Sequence, residues 1–219
     1  MTRTPFIIAV DGPAGVGKGT LSKALAAHYN LALLETGLLY RALAFKVITN
    51  NIDAPNEGEV ASLAHTMTAS DTLNPILRQD HVANMASKIA PYPKVRAALL
   101  DFQRTFAHTP PVGTNGTILD GRDVGTCVLP EAPFKFFLDA DIEIRAKRRY
   151  EELLLRGIDA IYANVLEDMR VRDRQDRERE ISPLKAASDA VLIDTSHLSI
   201  GDVFEKACAH IDRAPDPKG

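Results

Sequence analysis

The sequence predicts an α/β fold: a three-layer core in which helices cover both faces of a five-stranded parallel sheet. Two observations carry that prediction. Five short, continuous apolar runs recur along the 219 residues: FIIAV (6–10), LALL (31–34), TIL (117–119), FKFFL (134–138) and AVLI (190–193). Each reads as a strand buried on both faces, with no wet side to alternate with. Between them lie stretches whose apolar residues recur at helical spacing, and strands that alternate with helices build a parallel sheet through right-handed crossovers.

Taken in order, FIIAV runs directly into the glycine-rich GPAGVGKGT (12–20), and the helical stretch that follows places Leu21, Leu25 and Tyr29 on one face. LALL is the second strand, followed by helical patterns at about 39–48, 57–67, 82–90 and 94–107. TIL and FKFFL come next, then helices at about 142–155 and 160–179, then AVLI and a last helix at about 200–211. The pair Phe136 and Phe137 belongs to the fourth buried strand. Two segments interrupt the alternation, 50–93 and the charge-dense 147–180, and both read as mostly helical insertions. Insertions on an α/β core commonly carry the mobile parts that grip a substrate. With no internal repeat and no long linker, residues 1–212 are expected to form one domain with its core at about 6–49, 94–146 and 181–212; the tail RAPDPKG (213–219) reads as disordered.

A hydrophobic fraction of 45% and a charged fraction of 25% are those of an ordinary globular protein. The net charge of −3 argues against a nucleic-acid partner, which would need a broad basic surface, so any anion site is local. Cys127 and Cys208 form no disulfide framework and read as buried small hydrophobes, and no Cys/His set has zinc-ligand spacing. The six histidines are scattered without ligand spacing. No run approaches the ~18 apolar residues of a membrane span, and MTRTPFIIAV lacks the cleavage site of a signal peptide. A reducing, cytoplasmic setting with no membrane partner is expected.

Strand, glycine loop and helix stand in the order of a phosphate-binding P-loop, Gly-x-x-x-x-Gly-Lys. Gly12, Pro13, Ala14, Gly15, Val16, Gly17, Lys18, Gly19 and Thr20 are therefore the candidate ATP site. Backbone N–H groups of such a loop, with the helix start behind them, cradle the β- and γ-phosphate oxygens, and Lys18 adds a point charge that follows the moving phosphoryl group. The position after the lysine, normally a Ser or Thr that holds magnesium, is Gly19, with Thr20 one place later. No Asn-Lys-x-Asp guanine signature accompanies the loop.

Three further stretches carry candidate chemistry. LLETGLLYRA (33–42) offers Thr36, Tyr40 and Arg41; NMASKIAPYPKVR (84–96) sets Ser87 and Arg96 on either side of a proline-bounded turn; ILDGRDVGT (118–126) ends a strand with Asp120 and Asp123 bracketing Gly121 and Arg122. In the second insertion, Arg172, Asp176 and Arg179 fall at i, i+4 and i+7 on one helix face, while Arg170, Arg174 and Arg177 make a neighbouring face that reads as solvated surface. Arg145, Arg148 and Arg149 head that insertion as candidates for ATP phosphates or adenine.

The Gly-Lys-Gly-Thr ending with Pro13 inside the loop resembles the nucleoside monophosphate kinases. Together with the Tyr-Arg, Asp-Gly-Arg-Asp-x-Gly-Thr and arginine-rich stretches, it makes the chain resemble the bacterial cytidylate kinase family from Phe6 to about His210. The resemblance implies an NMP-kinase-like core, a monophosphate-binding insertion at 50–93, a closing lid at 147–180, and transfer of the γ-phosphoryl group of ATP, with Mg²⁺, to CMP or dCMP. Carried onto matching positions, it implies that Arg41 and Arg122 bind the CMP phosphate. Ser87, Arg96, Asp123 and Arg179 would contact the cytosine, and Arg172 with Asp176 the sugar. Magnesium would be held mainly by nucleotide phosphates and water, with Thr20, Glu35 and Asp120 as the candidates for contact through water. Glu35 departs from the family's usual Asp. The stretch 50–80 is shorter than the strand-bearing insertion of longer members, and no small sheet is expected there.

Phosphoryl transfer to a phosphate oxygen needs no general base, because the acceptor is already anionic; it needs positioning and positive charge. Lys18, Arg41 and Arg122 supply the charge, while Asp120 either organises magnesium water or is a structural turn aspartate. A fixed Asp123 carboxylate suits the cytosine amino group, and uracil there would set two acceptors face to face, a mismatch of ~1 to 3 kcal/mol. Two alternatives stay open: another small P-loop kinase with UMP, AMP or a small metabolite as acceptor, and a P-loop nucleotide sensor, in which Arg41, Arg96 and Arg122 would have no purpose. A monomer is expected.

Overall fold

The computed structural model describes residues 6–213. The expected disordered tail lies outside them from residue 214 onward. Five strands form one sheet: β1 (Phe6–Asp11), β2 (Leu31–Glu35), β3 (Gly116–Gly121), β4 (Phe134–Asp139) and β5 (Val191–Asp194), in the order β2-β3-β1-β4-β5. β1 pairs in parallel with β3 and β4, and β4 with β5. All five apolar runs form strands; β1, β3 and β4 are buried almost throughout, as continuous Ile, Val, Leu and Phe require, whereas β5, at the sheet edge and expected to be buried on both faces, exposes Leu192. The register sets Val10 beside Asp120 and Asp11 beside Gly121, so β1 and β3 deliver their C-terminal loops side by side. Ligands of open α/β sheets bind at that end of the strands.

The helices are α1 (Lys18–Tyr29), α2 (Thr36–Thr49), α3 (Glu57–Ala64), α4 (Asp80–Ile89), α5 (Pro93–His108), α6 (Ile142–Leu155), α7 (Tyr162–Glu178) and α8 (Ile200–Ile211). Their ends follow local chemistry. Asn30 closes α1 in the left-handed conformation, Pro93 opens α5 where its missing N–H does no harm, and Ser199 with Asp202 forms a reciprocal capping box at the start of α8. Three differences from the sequence-based expectation stand out. α3 stops at Ala64, short of the expected 67, and is followed by two short 3₁₀ turns at Ala69–Leu73 and Pro75–Arg78. Thr68 caps the first of these with Asp71, and Pro75 restricts the backbone of Asn74 and opens the second. α7 ends at Glu178, with Arg179 already extended, and an unexpected wide turn spans Val124–Val128.

The chain divides into two compact units, one running to Leu33 and resuming at Pro110, the other Leu34–Thr109. In the first, Ile8 and Val10 of β1 pack with Ile118, Phe136 and Leu138 of the flanking strands and with Leu25 of α1 and Ile211 of α8. In the second, Leu39, Leu43 and Val47 of α2 share a core with Val60 of α3, Val82 and Ile89 of α4, and Leu99 of α5. Both cysteines are free thiols, and His28 and His210 make edge contacts with aromatic rings.

Candidate active site

The loop after β1 takes its shape from glycine. Gly12 (φ +148°), Gly15 (+74°) and Gly17 (+98°) adopt backbones that side chains disfavour, and a Cβ on Gly12 would lie 2.2 Å from the carbonyl oxygen of Leu138. The turn around the phosphate position is therefore possible only because β1 and β4 approach without a side chain between them. Lys18 opens α1 yet is only 8% exposed, and its ammonium donates to the carbonyls of Gly12 (2.7 Å) and Pro13 (2.8 Å). The charge thus sits inside the loop. Burial, aided by the nearby Arg122 guanidinium, pushes the Lys18 ammonium well below the ordinary lysine range.

The end of β3 brings the next group together. Asp120 and Asp123 are buried, and Arg122 donates from Nε to Asp176 Oδ2 at 2.8 Å. Arg179 reaches Asp123 Oδ1 at 3.5 Å and Asp176 Oδ1 at 3.8 Å. Four residues nominated from two separate stretches of sequence therefore form one charge network within the same unit as the loop. Burial alone would raise the Asp176 carboxyl, but Arg122, with Arg172 and Arg179 behind it, outweighs burial and holds it below the usual carboxylate range. Arg170 and Arg177, on the face read as solvated, make exposed pairs with Glu143 and Asp139.

The three arginines at the head of α6 go to three different places. Arg145 is buried and donates to Ala140 O (2.8 Å), to Ala14 O of the loop (3.2 Å) and to Asp173 Oδ2 (2.6 Å). Arg148 donates to the carbonyl (2.6 Å) and hydroxyl (3.2 Å) of Thr195, whose hydroxyl in turn donates to Val16 O of the loop at 3.1 Å. Arg149 pairs with Glu152 on the surface. Sequence reasoning missed Asp11, Asp173 and Thr195. Asp11 carried a usable signal, a carboxylate at the end of an apolar strand just before the first loop glycine; Asp173 and Thr195 carried none, since nothing local marks their partners.

In the second unit, Thr36 is buried at the start of α2, and the Arg96 guanidinium lies 5.8 Å over the ring of Tyr40 while donating to Ala90 O at 3.3 Å. Arg41 donates to Leu77 O at 2.8 Å. Ser87, on an exposed face of α4, donates to Ala83 O. The Glu35 carboxylate, proposed from sequence to touch magnesium water, accepts from Arg78 at 3.4 Å. Among the described residues no group of three or more His, Cys, Asp or Glu side chains is arranged to hold a metal ion. The oxygen donors beside the loop, the Asp120 carboxylate and the Thr20 hydroxyl, suit a hard cation that arrives on phosphates and keeps most of its water.

The model of the cytidylate kinase family matches residues 8–213, which takes in the loop, the β3 motif and the arginine-rich α7 together. The chain belongs to the cytidylate kinase family. The cytidylate kinase of Paramagnetospirillum magneticum is 48% identical over 201 residues, covering 92% of this chain and 95% of that one. The cytidylate kinase of Bartonella bacilliformis is 46% identical over 210 residues, 95% of each chain. Among solved structures, an uncharacterized protein from Eubacterium ventriosum is similar with a TM-score of 0.57 at 17% identity, covering 95% of this chain and 99% of that one. That likeness shows the α/β fold alone.

Proposed function

We propose that Lys18, Arg41, Arg122 and Asp120 carry the reaction of the family, transfer of the γ-phosphoryl group of ATP to CMP or dCMP. The observation that supports this most directly is the Arg122–Asp176–Arg179–Asp123 network standing beside Lys18 and its loop. ATP phosphates lie on the loop from Gly12 to Thr20, and Lys18 exchanges two carbonyl partners for phosphate oxygens. Mg²⁺ carried on ATP supplies charge to the phosphate oxygens, and Thr20 and Asp120 are the side chains to hold its water. Arg41 and Arg122 take the CMP phosphate, Ser87, Arg96, Asp123 and Arg179 the cytosine, and Arg172 and Asp176 the sugar. Residues 50–93 act as the monophosphate-binding insertion and 147–180 as the lid.

The internal ion pairs favour this allocation. Arg122 and Asp176 hold each other in place, so a nucleotide meets side chains whose orientation is already fixed, which limits the ordering that binding requires. Chemistry at the base sets selectivity: the Asp123 carboxylate accepts from the cytosine amino group and has no proton to offer uracil. No helix among the described residues is long and apolar enough to cross a membrane, and the enzyme is proposed to work in the cytoplasm with its soluble substrates.

A coupled assay with ATP and magnesium, run in parallel with CMP, dCMP, UMP and AMP, tests the proposal. CMP and dCMP should exceed UMP by at least about tenfold in kcat/KM, matching one mismatched hydrogen bond. Asp123→Asn, whose amide can donate to uracil, should shrink that ratio by about tenfold. UMP turned over as well as CMP by the unaltered chain would sink the base assignment.

A further inference from the structure

Asp11 takes no part in the chemistry above, yet it is built into both halves of it. It ends the central strand β1, is 4% exposed, and immediately precedes the first glycine of the phosphate loop. Both carboxylate oxygens are used: the Val124 N–H donates to Oδ1 at 2.8 Å and the Gly125 N–H to Oδ2 at 2.7 Å. Those two N–H groups open the wide turn Val124–Val128, whose own bonds run from Val128 to Asp123 O (3.2 Å) and from Leu129 to Val124 O (2.7 Å). The first N–H groups of any helical turn lack partners inside it and must find a cap. Here the cap comes from a strand 113 positions earlier in the chain. Directly before the turn stand Asp123, paired with Arg179, and Arg122, paired with Asp176.

We propose that Asp11 is a positioning residue that ties the Arg122–Asp123 segment to the start of the phosphate loop and so keeps the acceptor-reading side chains in register with the donor. The inference rests on the assignment of Arg122 and Asp123 to CMP made above. Close packing gives the tie little slack: a Cβ on Gly125 would lie 3.4 Å from Asp11 Oδ2 and 3.3 Å from Cδ of Lys135. The charged groups that face Asp11 are Lys18 from α1, Asp123 ahead of the turn, and Lys135 from β4, whose ammonium is taken up by Pro130 O and Asp189. Burial pushes the Asp11 carboxyl up to about 6; the N–H bonds from Gly125 and Val124 oppose that rise, Asp123 adds to it and Lys18 opposes it. Protonation turns one acceptor oxygen into a donor facing an N–H group, so one of the two cap bonds is lost.

The amide resonances of Val124 and Gly125, followed by NMR in the unaltered protein from roughly pH 4.5 to 8, read the tie directly. Both should titrate with a shared midpoint near that of Asp11, and the titration should vanish in Asp11→Asn. Amides that titrate unchanged in the variant, or whose resonances at pH 8 are the same in Asp11→Asn as in the unaltered protein, overturn the proposal. In kinetics, Asp11→Asn should raise the KM for CMP about tenfold while leaving the KM for ATP within about threefold. The KM for CMP should also rise more steeply toward acid in the unaltered enzyme than in the variant, because the nucleotide's own phosphate titrates equally in both. Equal loss of CMP and ATP affinity would show a merely structural role and overturn the positioning role. Asp123→Asn, assayed alongside, separates the two readings: unchanged CMP kinetics there would sink the acceptor assignment on which the inference rests.

Discussion

A carboxyl whose pKa rises from 3.8 to about 6 on folding binds its proton more tightly in the folded chain than in the unfolded one. For Asp11 the contribution to stability is therefore fully present below about pH 4 and falls as pH climbs to about 6, by about 3 kcal/mol. Asp11→Asn removes the titrating group, and urea unfolding at a series of pH values should show a flatter dependence across that window. A slope equal to that of the parent would place the titration elsewhere. Gly12 makes the opposite kind of demand, steric instead of electrostatic. Gly12→Ala drives a methyl group to within 2.2 Å of the Leu138 carbonyl at a positive φ, which should destabilise the chain by roughly 3 kcal/mol and abolish ATP binding, read by calorimetric titration. Retained ATP affinity in that variant would mean that the loop can shift away from β4.

Among the elements, α6 and α7 are joined by a buried ion pair as well as by the apolar contacts of Ala146, Leu153, Val165 and Met169. Asp173 bonds Arg145 through Oδ2 while its Oδ1 is buried without a hydrogen-bond partner in the described residues. Removing the acid strands a buried guanidinium, so Asp173→Ala should lower the unfolding free energy by about 3 to 5 kcal/mol, and urea denaturation checks it. A loss below about 1 kcal/mol would mark the pair as surface-like. The same elements show what could be read in advance. Strands and helices were legible because burial on both sheet faces leaves a continuous apolar run and burial on one helix face a periodic one, each within a few residues. The glycine loop and the Asp120–Asp123 motif were legible because their chemistry depends on local spacing. The wide turn Val124–Val128 was not, since its capping carboxylate lies 113 positions upstream and VGTCV carries no local mark of five-residue bonds. For the same reason the three head arginines of α6 could be nominated but not told apart: Arg145 is distinguished by Ala14 and Asp173, and Arg148 by Thr195, all remote in sequence.

For the whole molecule, the unpaired backbone at the sheet edges is the feature most able to recruit a second copy, because an open edge strand is a template for another chain. β5 is one such edge and is only four residues long, ending in Asp194, whose carboxylate accepts from Ser196 N–H and so turns the chain away. Short edges closed by acidic residues pair poorly with copies of themselves. Within the first unit the exposed apolar side chains include Leu154, Leu155, Ile161 and Tyr162 at the α6–α7 connection, with Val112, Val171, Ile181, Leu192 and Ile200 elsewhere in the sequence. A stable dimer needs roughly 800 Å² of each partner with a desolvated apolar centre, which a few side chains at one connection do not provide. Sedimentation equilibrium should therefore give a single species at the chain mass of 23.9 kDa. The mass should stay constant over a hundredfold range of protein concentration, with and without CMP. A mass near twice that value at the low end of the range would show a self-association surface. Repeating the run with Leu192→Lys would then test whether the β5 edge is its centre: monomer in that variant would assign the contact to the strand, and an unchanged dimer would exclude it.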